Sequence, residues 1–151
     1  MLIHKSPRFN AGELDGCQAA VTAAGIEYSE MVSMAKSLTR LFRKDEYPPL
    51  RGTFLKIQRD VGILYTRGGV EFNETYPGMY MLRSLRIEAA RTKRSLQTHA
   101  AEILALTKMN WNDTQLDGSL PITLRAASQV ESIVRYLNPN DQLPTDYSFY
   151  M

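Results

Sequence analysis

The sequence predicts a single α/β domain. The chain has 151 residues, of which 44% are hydrophobic, and a domain of this size buries roughly 70% of the surface that its unfolded chain exposes. Three segments repeat apolar residues at helical spacing, and each begins with a capping residue or a proline. Runs typical of β-strands, bounded by glycine or proline, lie between them.

Local signals predict the first strand and the first helix. Met1–His4 is a short apolar run, and Pro7 cannot donate a hydrogen bond to a regular ladder beyond it. Asn10 and Glu13 have the spacing of a capping box, with Asn10 as the cap of the helix that follows. Gly25 supplies the helix stop.

Strands are expected over most of the chain from Ile26 to Arg94. IEYSEMVSM predicts a strand, and KSLTRLFR is expected to continue it into a second one. After the break at residues 47–49, GTFLKIQ and ILYTRG are expected to form a hairpin around a turn at residues 59–62. Residues 70–78 are predicted to be a loop, and MYMLRSLRIEA predicts one more strand.

The most basic part of the sequence spans residues 83–94, where five of twelve residues are Lys or Arg. They are Arg83, Arg86, Arg91, Lys93 and Arg94. Nucleic-acid contact and a solvated strand edge explain them equally well, because edge strands commonly carry such residues. The net charge of +2 is too small to decide between these interpretations.

Two more helices are predicted in the last third of the chain. Ser95 is a suitable N-cap for the first, and His99 lies close to its apolar face. His99 has no metal-binding partner at ligand spacing, so a packed or surface role is expected. Pro121 opens the second helix, and Asn138-Pro139 ends it. The aromatic tail that follows is expected to dock.

The sequence offers little for catalysis, since it has no P-loop, dinucleotide fingerprint or zinc spacing. Two-metal phosphodiester hydrolysis needs several carboxylates at strand and helix ends. In this chain Ser6 stands at the end of the first predicted strand, and Ser128 stands near the start of the last predicted helix. A neutral hydroxyl is a poor replacement for a carboxylate around Mg²⁺. Asp113, Asp117 and Glu131 are expected to be turn and surface acids.

The segment from Ile103 to Ser128 carries a dense run of polar side chains and the only tryptophan. Its central polar residues are Thr107, Lys108, Asn110, Asn112, Thr114 and Gln115. Lys108 offers a point charge for phosphate, and the amides and hydroxyls can bond phosphate and sugar oxygens without reading bases. The alternative is a turn whose polar side chains bond their own backbone while Trp111 fills the core.

Within this segment, LALTKMNWNDTQLDGSLPITLR resembles the signature near the C-terminus of the PIWI domain in prokaryotic Argonaute proteins. Further stretches occur in the order expected of that family. They are IHKSPRF, then PPLRGTFLKI, ILYTRGG and TYPGMYMLRSLRIE, and the aromatic terminus YSFYM. The resemblance covers nearly the whole chain. It implies the C-terminal half of a ribonuclease H-like PIWI domain over residues 1–151, with a mixed sheet, hairpin insertions and flanking helices. Such a half is expected to be incomplete on its own.

The resemblance also implies roles for particular residues. The region that contacts phosphates of the guide strand's seed matches Lys108, Asn110, Asn112 and Thr114. In many members the terminal carboxylate, here on Met151, helps to bind a metal, which implies Mg²⁺ at the guide 5′ phosphate. The third and fourth catalytic ligands align with Ser6 and Ser128, and both departures imply the catalytically inactive branch of the family.

The expected function is therefore guide-strand binding without target cleavage, in a cytoplasmic protein of prokaryotic defence. The expected partners are guide and target strands of DNA or RNA, the MID domain and N-terminal PIWI half in the same or a partner chain, and an effector protein. No membrane partner is expected. Two alternatives stay open. One is a ribonuclease H-like, metal-dependent endonuclease whose ligands are displaced or lie outside this chain, and the other is an assembly half with no independent binding.

Overall fold

The computed structural model describes residues 1–42, 44, 49–69, 82–109 and 119–138. In these residues the chain forms five strands and three helices. In chain order they are β1 (Leu2–Lys5), α1 (Ala11–Ala23), β2 (Glu30–Ser37), β3 (Phe54–Lys56), β4 (Val61–Leu64), β5 (Ser84–Arg91), α2 (Leu96–Leu106) and α3 (Ile122–Val134).

The five strands form one mixed sheet in the order β1-β2-β5-β4-β3. β1 runs parallel to β2, and α1 connects them, because a parallel pair cannot be joined by a tight hairpin. The other three pairs are antiparallel. The predicted fold class, a mixed sheet with a hairpin and flanking helices, is confirmed.

α1 begins and ends at the residues that predict it. The Asn10 side chain accepts a hydrogen bond from the Glu13 backbone N–H at 2.8 Å, and the Glu13 carboxylate accepts one from the Asn10 backbone N–H at 2.9 Å. Beyond the helix Gly25 has φ 67°, a left-handed conformation that glycine adopts without steric cost. Both predictions for this helix are confirmed.

The main core lies between the sheet and the helices α2 and α3. Leu96, Ala100 and Ile103 of α2 and Leu124 of α3 belong to it. The buried strand residues of this cluster are Val32, Met34, Leu64, Leu85 and Ile87. Burying one such large aliphatic side chain contributes about 1.5–3 kcal/mol. This layer therefore holds α2 against the sheet as far as Ile103, three residues before the helix ends.

The strand prediction for residues 26–43 is wrong at both ends. β2 begins at Glu30 and ends at Ser37, so KSLTRLFR forms no second strand in its described residues. The Ser37 hydroxyl accepts a hydrogen bond from the Thr39 backbone N–H at 3.1 Å, a local turn that competes with the ladder. The next apolar side chain, Leu38, is 83% exposed and adds no burial that would favour a strand.

The predicted hairpin is confirmed as β3 and β4, but its turn comes earlier than expected. Val61 and Gly62 belong to β4 instead of the turn. A Cβ atom on Gly62 would lie 2.5 Å from the Phe54 ring. Glycine at this position therefore permits close packing inside the strand pair.

The last predicted strand begins at Ser84 in the described part of MYMLRSLRIEA. The predicted loop at residues 70–78 and the aromatic tail lie outside the described residues. Among the helices that the structure describes, none is both long and apolar enough to cross a membrane.

Candidate nucleic-acid interface

Lys108 lies just beyond the C-terminal end of α2. Thr107 is the C-cap of the helix, and its hydroxyl donates to the Leu104 carbonyl at 2.6 Å. The Lys108 backbone N–H donates to the Ala105 carbonyl at 3.0 Å, so the chain is still ordered as a helical turn there. The Lys108 side chain is exposed. A cation is favoured at this position, because the C-terminal end of a helix carries partial negative charge.

Arg51 connects this helix end to the hairpin. It lies in the turn that precedes β3, and its Nε donates to the Thr66 carbonyl at 2.9 Å. Its Nη2 donates to the Thr107 hydroxyl at 2.8 Å. Thr66 and Thr107 are each only 1% exposed. These bonds from a guanidinium group are charge-assisted, and the partial burial of Arg51 strengthens them.

Arg125 of α3 reaches the same segment from another direction. Its Nη2 donates to the Met109 carbonyl at 3.0 Å. Thr66 adds a further link, because its hydroxyl donates to the Ser119 carbonyl at 2.9 Å. Lys108 therefore lies between two neighbours, Thr107 and Met109, that are bonded to arginines from two different parts of the fold.

The described residues place only part of the predicted phosphate-binding set. Lys108 is exposed and available for contact with a ligand. Asn110, Asn112, Thr114 and the terminal Met151 lie outside the described residues. Their predicted roles stay predictions.

Ser6 and Ser128 are both exposed, and they lie beside and within two elements, β1 and α3, that touch each other. Ser6 follows β1 directly, and Ser128 lies within α3. The two elements meet where His4 Nδ1 lies 2.9 Å from the Thr123 hydroxyl. In the part of the chain that the structure describes, no group of three or more His, Cys, Asp or Glu residues is arranged to hold a metal ion. Glu131 is a surface acid paired with Arg135 at 2.6 Å, as predicted.

A buried carboxylate, Glu30, forms the centre of a polar network that the sequence does not reveal. Glu30 is 1% exposed, and its Oε1 accepts hydrogen bonds from the Tyr28 hydroxyl at 2.5 Å and the Thr92 hydroxyl at 2.7 Å. The backbone N–H groups of Lys93 and Arg94 also point to Oε1, and the Arg94 guanidinium pairs with Oε2. Burial by itself raises the pKa of Glu30, but these hydrogen bonds outweigh it and hold the pKa far below its ordinary value.

His99 extends this network into α2. It is completely buried, and its Nε2 lies 2.6 Å from the Thr92 hydroxyl. Its Nδ1 lies 3.6 Å from Glu102 Oε2. Burial, with a smaller contribution from nearby His99, lowers the pKa of His4. Of the packed or surface roles predicted for His99, the structure shows the packed one, and its partners belong to the fold's own polar network.

The basic neighbourhood at residues 83–94 is largely engaged within the protein. Arg94 pairs with Glu30 and Glu102, and Arg91 donates to the Gln18 side chain at 2.9 Å. Arg86 Nη2 lies 3.6 Å from Glu88 Oε2. Lys93 Nζ lies 5.2 Å from the centre of the Tyr28 ring. These contacts favour the structural interpretation of the neighbourhood over nucleic-acid contact.

Comparison with known proteins identifies the fold. No protein-family model and no curated protein matches the chain, but solved Argonaute structures do. Argonaute from A. aeolicus matches at 20% identity over 93% of this chain, with a TM-score of 0.69. Aa-Ago with externally bound siRNA matches at 21% identity over 93% of this chain, with a TM-score of 0.70. Clostridium butyricum Argonaute bound to a guide DNA and a 19-mer target DNA matches at 19% over 90%, with a TM-score of 0.67.

This chain spans less than a fifth of the matched structures, namely 19% of both A. aeolicus chains and 17% of the C. butyricum chain. The match over nearly all of its own length agrees with the fold predicted from its sequence. The chain therefore has the α/β fold of a PIWI-like segment of an Argonaute protein.

Proposed function

We propose that this chain holds the sugar–phosphate backbone of a guide strand within an Argonaute-like protein, without cleaving the target. The observation that carries the proposal is Lys108, an exposed lysine between two residues that are bonded to arginines. Arg51 bonds the Thr107 hydroxyl, and Arg125 bonds the Met109 carbonyl. The matched Clostridium butyricum Argonaute with bound guide and target DNA, and Aa-Ago with externally bound siRNA, support a nucleic acid as its ligand.

The chemistry of the segment suits a backbone ligand. Lys108 supplies a compact positive charge, and Asn110, Asn112 and Thr114 supply neutral donors for phosphate and sugar oxygens. Contacts of this kind fix the position of a strand and leave its bases free to pair. They also do not separate DNA from RNA, so either could serve as guide.

The proposed lack of cleavage rests on Ser6 and Ser128. Both are exposed hydroxyl residues, and the resemblance of the sequence implies that they stand where the third and fourth catalytic ligands are expected. Mg²⁺ is a hard cation that prefers anionic oxygen, and serine stays neutral. A metal role is proposed only at the guide 5′ phosphate, where the terminal carboxylate of Met151 would add negative charge beside Mg²⁺.

The proposed partners are the target strand and the rest of an Argonaute-like protein, including a MID domain, in the same or a partner chain. The small share of the matched Argonautes that this chain covers supports this. An effector protein that acts after target binding is part of the same proposal.

Replacing Lys108 by alanine tests the proposal. Binding of a fluorescent, 5′-phosphorylated single-stranded DNA, and of RNA of the same sequence, is measured across a range of salt concentrations. K108A should weaken binding about equally for all base sequences and lower the salt slope by about one. Lys36 is an exposed lysine on β2, and K36A serves as the control with an unchanged slope. A sequence-dependent loss, or no loss, would contradict the proposal.

Two further experiments separate the alternatives. Mg²⁺- or Mn²⁺-dependent cleavage of the paired target by the complete protein would establish an endonuclease. Size-exclusion chromatography with and without single-stranded nucleic acid tests the assembly-half alternative. That alternative is supported by the position of β1 at one edge of the sheet, with no strand beyond it among the described residues. A monomer that shifts on adding the oligonucleotide would dispose of it.

A further inference from the structure

We propose that Arg51 and Arg125 are positioning residues that hold Lys108 where it can meet a phosphate. This inference rests on the proposed function, because it concerns the same lysine. The two residues are called the arginine brace below. Neither needs to touch the nucleic acid itself.

The Arg51 side of the brace is anchored in the hairpin. One guanidinium group bonds the Thr66 carbonyl at 2.9 Å and the Thr107 hydroxyl at 2.8 Å. The turn that carries Arg51 is itself fixed, since the Arg51 backbone N–H donates to the Gly69 carbonyl at 2.9 Å. The residue before Lys108 is therefore tied to the backbone of the hairpin.

The Arg125 side of the brace is anchored in α3. Arg125 Nη2 bonds the Met109 carbonyl at 3.0 Å, and the next residue on the same helix towards its start, Leu124, is buried in the core. Arg125 Nε is buried as well and has no hydrogen-bond partner among the described residues. The position of this guanidinium therefore follows from the packing of α3, and it fixes the residue after Lys108.

Fixing both neighbours has a direct consequence for binding. A flexible lysine must lose backbone freedom when it binds a phosphate, whereas a lysine on fixed backbone has lost that freedom during folding. The brace should therefore raise affinity without adding a phosphate contact. Because the number of phosphate contacts sets the salt slope, the brace should leave that slope unchanged.

Matched substitutions can separate positioning from simple stabilisation. T107V keeps the side-chain shape and removes the hydroxyl that Arg51 bonds, while T107S restores it. The control S132A removes a similar hydroxyl, since Ser132 donates to the Gln129 carbonyl at 2.7 Å on the surface of α3. R125K keeps the charge and loses the planar fork. Its control, R135K, makes the same change at an arginine that is 72% exposed at the C-cap of the same helix.

The expected results distinguish the brace from Lys108 itself. T107V and R125K should each weaken binding of the 5′-phosphorylated DNA about three- to tenfold, because each removes one side of the brace and so incurs only part of the roughly five- to thirtyfold loss expected when one residue must be fully ordered on binding. Their salt slopes should equal that of the wild type, and T107S, S132A and R135K should bind as the wild type does. Amide hydrogen exchange at Lys108 should be faster in T107V, because its bond to the Ala105 carbonyl loses support.

A double-mutant cycle decides whether the brace acts through Lys108. In the K108A background T107V should change affinity less than about twofold, because the residue that it positions is gone. An equal loss in both backgrounds, wild-type binding by T107V and R125K, or a lowered salt slope would overturn the inference. If K108A binds as the wild type does, or the wild type binds neither oligonucleotide, the proposed function itself fails. A loss in K108A without a loss in the brace variants rejects only the brace.

Discussion

Replacing Glu30 with glutamine tests the buried polar network, because the side chain keeps its shape and loses its charge. The Glu30 carboxylate accepts from two hydroxyls and two backbone N–H groups at Oε1 and from Arg94 at Oε2. A glutamine has one carbonyl oxygen and one NH₂ group. Whichever way the glutamine amide is turned, its NH₂ group faces hydrogen-bond donors in the place of one carboxylate oxygen. E30Q therefore loses hydrogen bonds in both orientations of the amide.

We expect E30Q to lower the free energy of unfolding by about 2–4 kcal/mol. Removing one partner of a buried ion pair costs about 3–5 kcal/mol. A somewhat smaller loss is expected here, because the Arg94 side chain is 38% exposed and keeps Glu102 as a partner. The control is E131Q, since Glu131 and Arg135 are 64% and 72% exposed, and it should cost at most about 1 kcal/mol.

The pH dependence of stability gives a second measure of Glu30. Its pKa in the folded protein is held far below the ordinary value, whereas a glutamate in an unfolded chain titrates near pH 4.3. The unfolded state therefore takes up this proton first as the pH falls. The stabilisation from Glu30 is present above about pH 4.3 and is lost as the pH falls below it. E30Q should lack this component of acid sensitivity.

Urea unfolding followed by far-UV circular dichroism measures both effects, at neutral pH and along an acid series. A loss below about 1 kcal/mol for E30Q at neutral pH would mean that its hydrogen bonds give no more than a typical neutral one. That result would refute the account of Glu30 as a strongly bonded buried anion. If the stability of E30Q and of the wild type fell equally with acid, the proposed contribution of Glu30 to the pH dependence of stability would be refuted.

Two other features can be tested by stability alone, in the same urea assay. N10A removes the side-chain cap of α1 and should cost about 1 kcal/mol, so an unchanged midpoint would contradict the capping role. G68A places a Cβ atom 2.3 Å from the Pro49 carbonyl oxygen, and since backbone cannot yield as a side chain can, about 1–3 kcal/mol should be lost. G16A, with no atom within 4 Å of the new Cβ inside α1, should instead gain about 0.5–1 kcal/mol, and a loss would contradict this.

The sequence predicts those elements whose determining residues are close neighbours along the chain. The capping box at Asn10 and Glu13 and the N-cap at Ser95 are local hydrogen bonds, and both form as predicted. The hairpin is similarly local, although its turn comes earlier than expected, because Gly62 pairs with Lys56 in the ladder and leaves room there for the Phe54 ring. Local chemistry identifies such elements and the start of each capped helix, whereas pairing and packing decide where the hairpin turn lies.

The buried network could not be predicted, because its members are far apart in sequence. Glu30 and Arg94 are separated by 64 residues, and they meet because β2 and β5 pair along the sheet. Their residue types alone indicate a surface acid and a basic neighbourhood. The candidate site likewise combines a residue that the sequence indicates with one that it does not. Lys108 could be singled out by its residue type, but Arg51 lies 56 residues from Thr107, and no sequence pattern connects them.

The pairing of charges decides which cations are available to a phosphate. Arg94 pairs with two carboxylates, and Arg86 lies beside a third, so either would have to give up a partner in order to bind a phosphate. Lys108 forms no ion pair within the part of the chain that the structure describes. A cation that is free of carboxylates gains the full counterion release when it binds a nucleic acid. The density of basic residues is therefore a poor guide to phosphate contact here, and a single lysine on braced backbone is the stronger candidate.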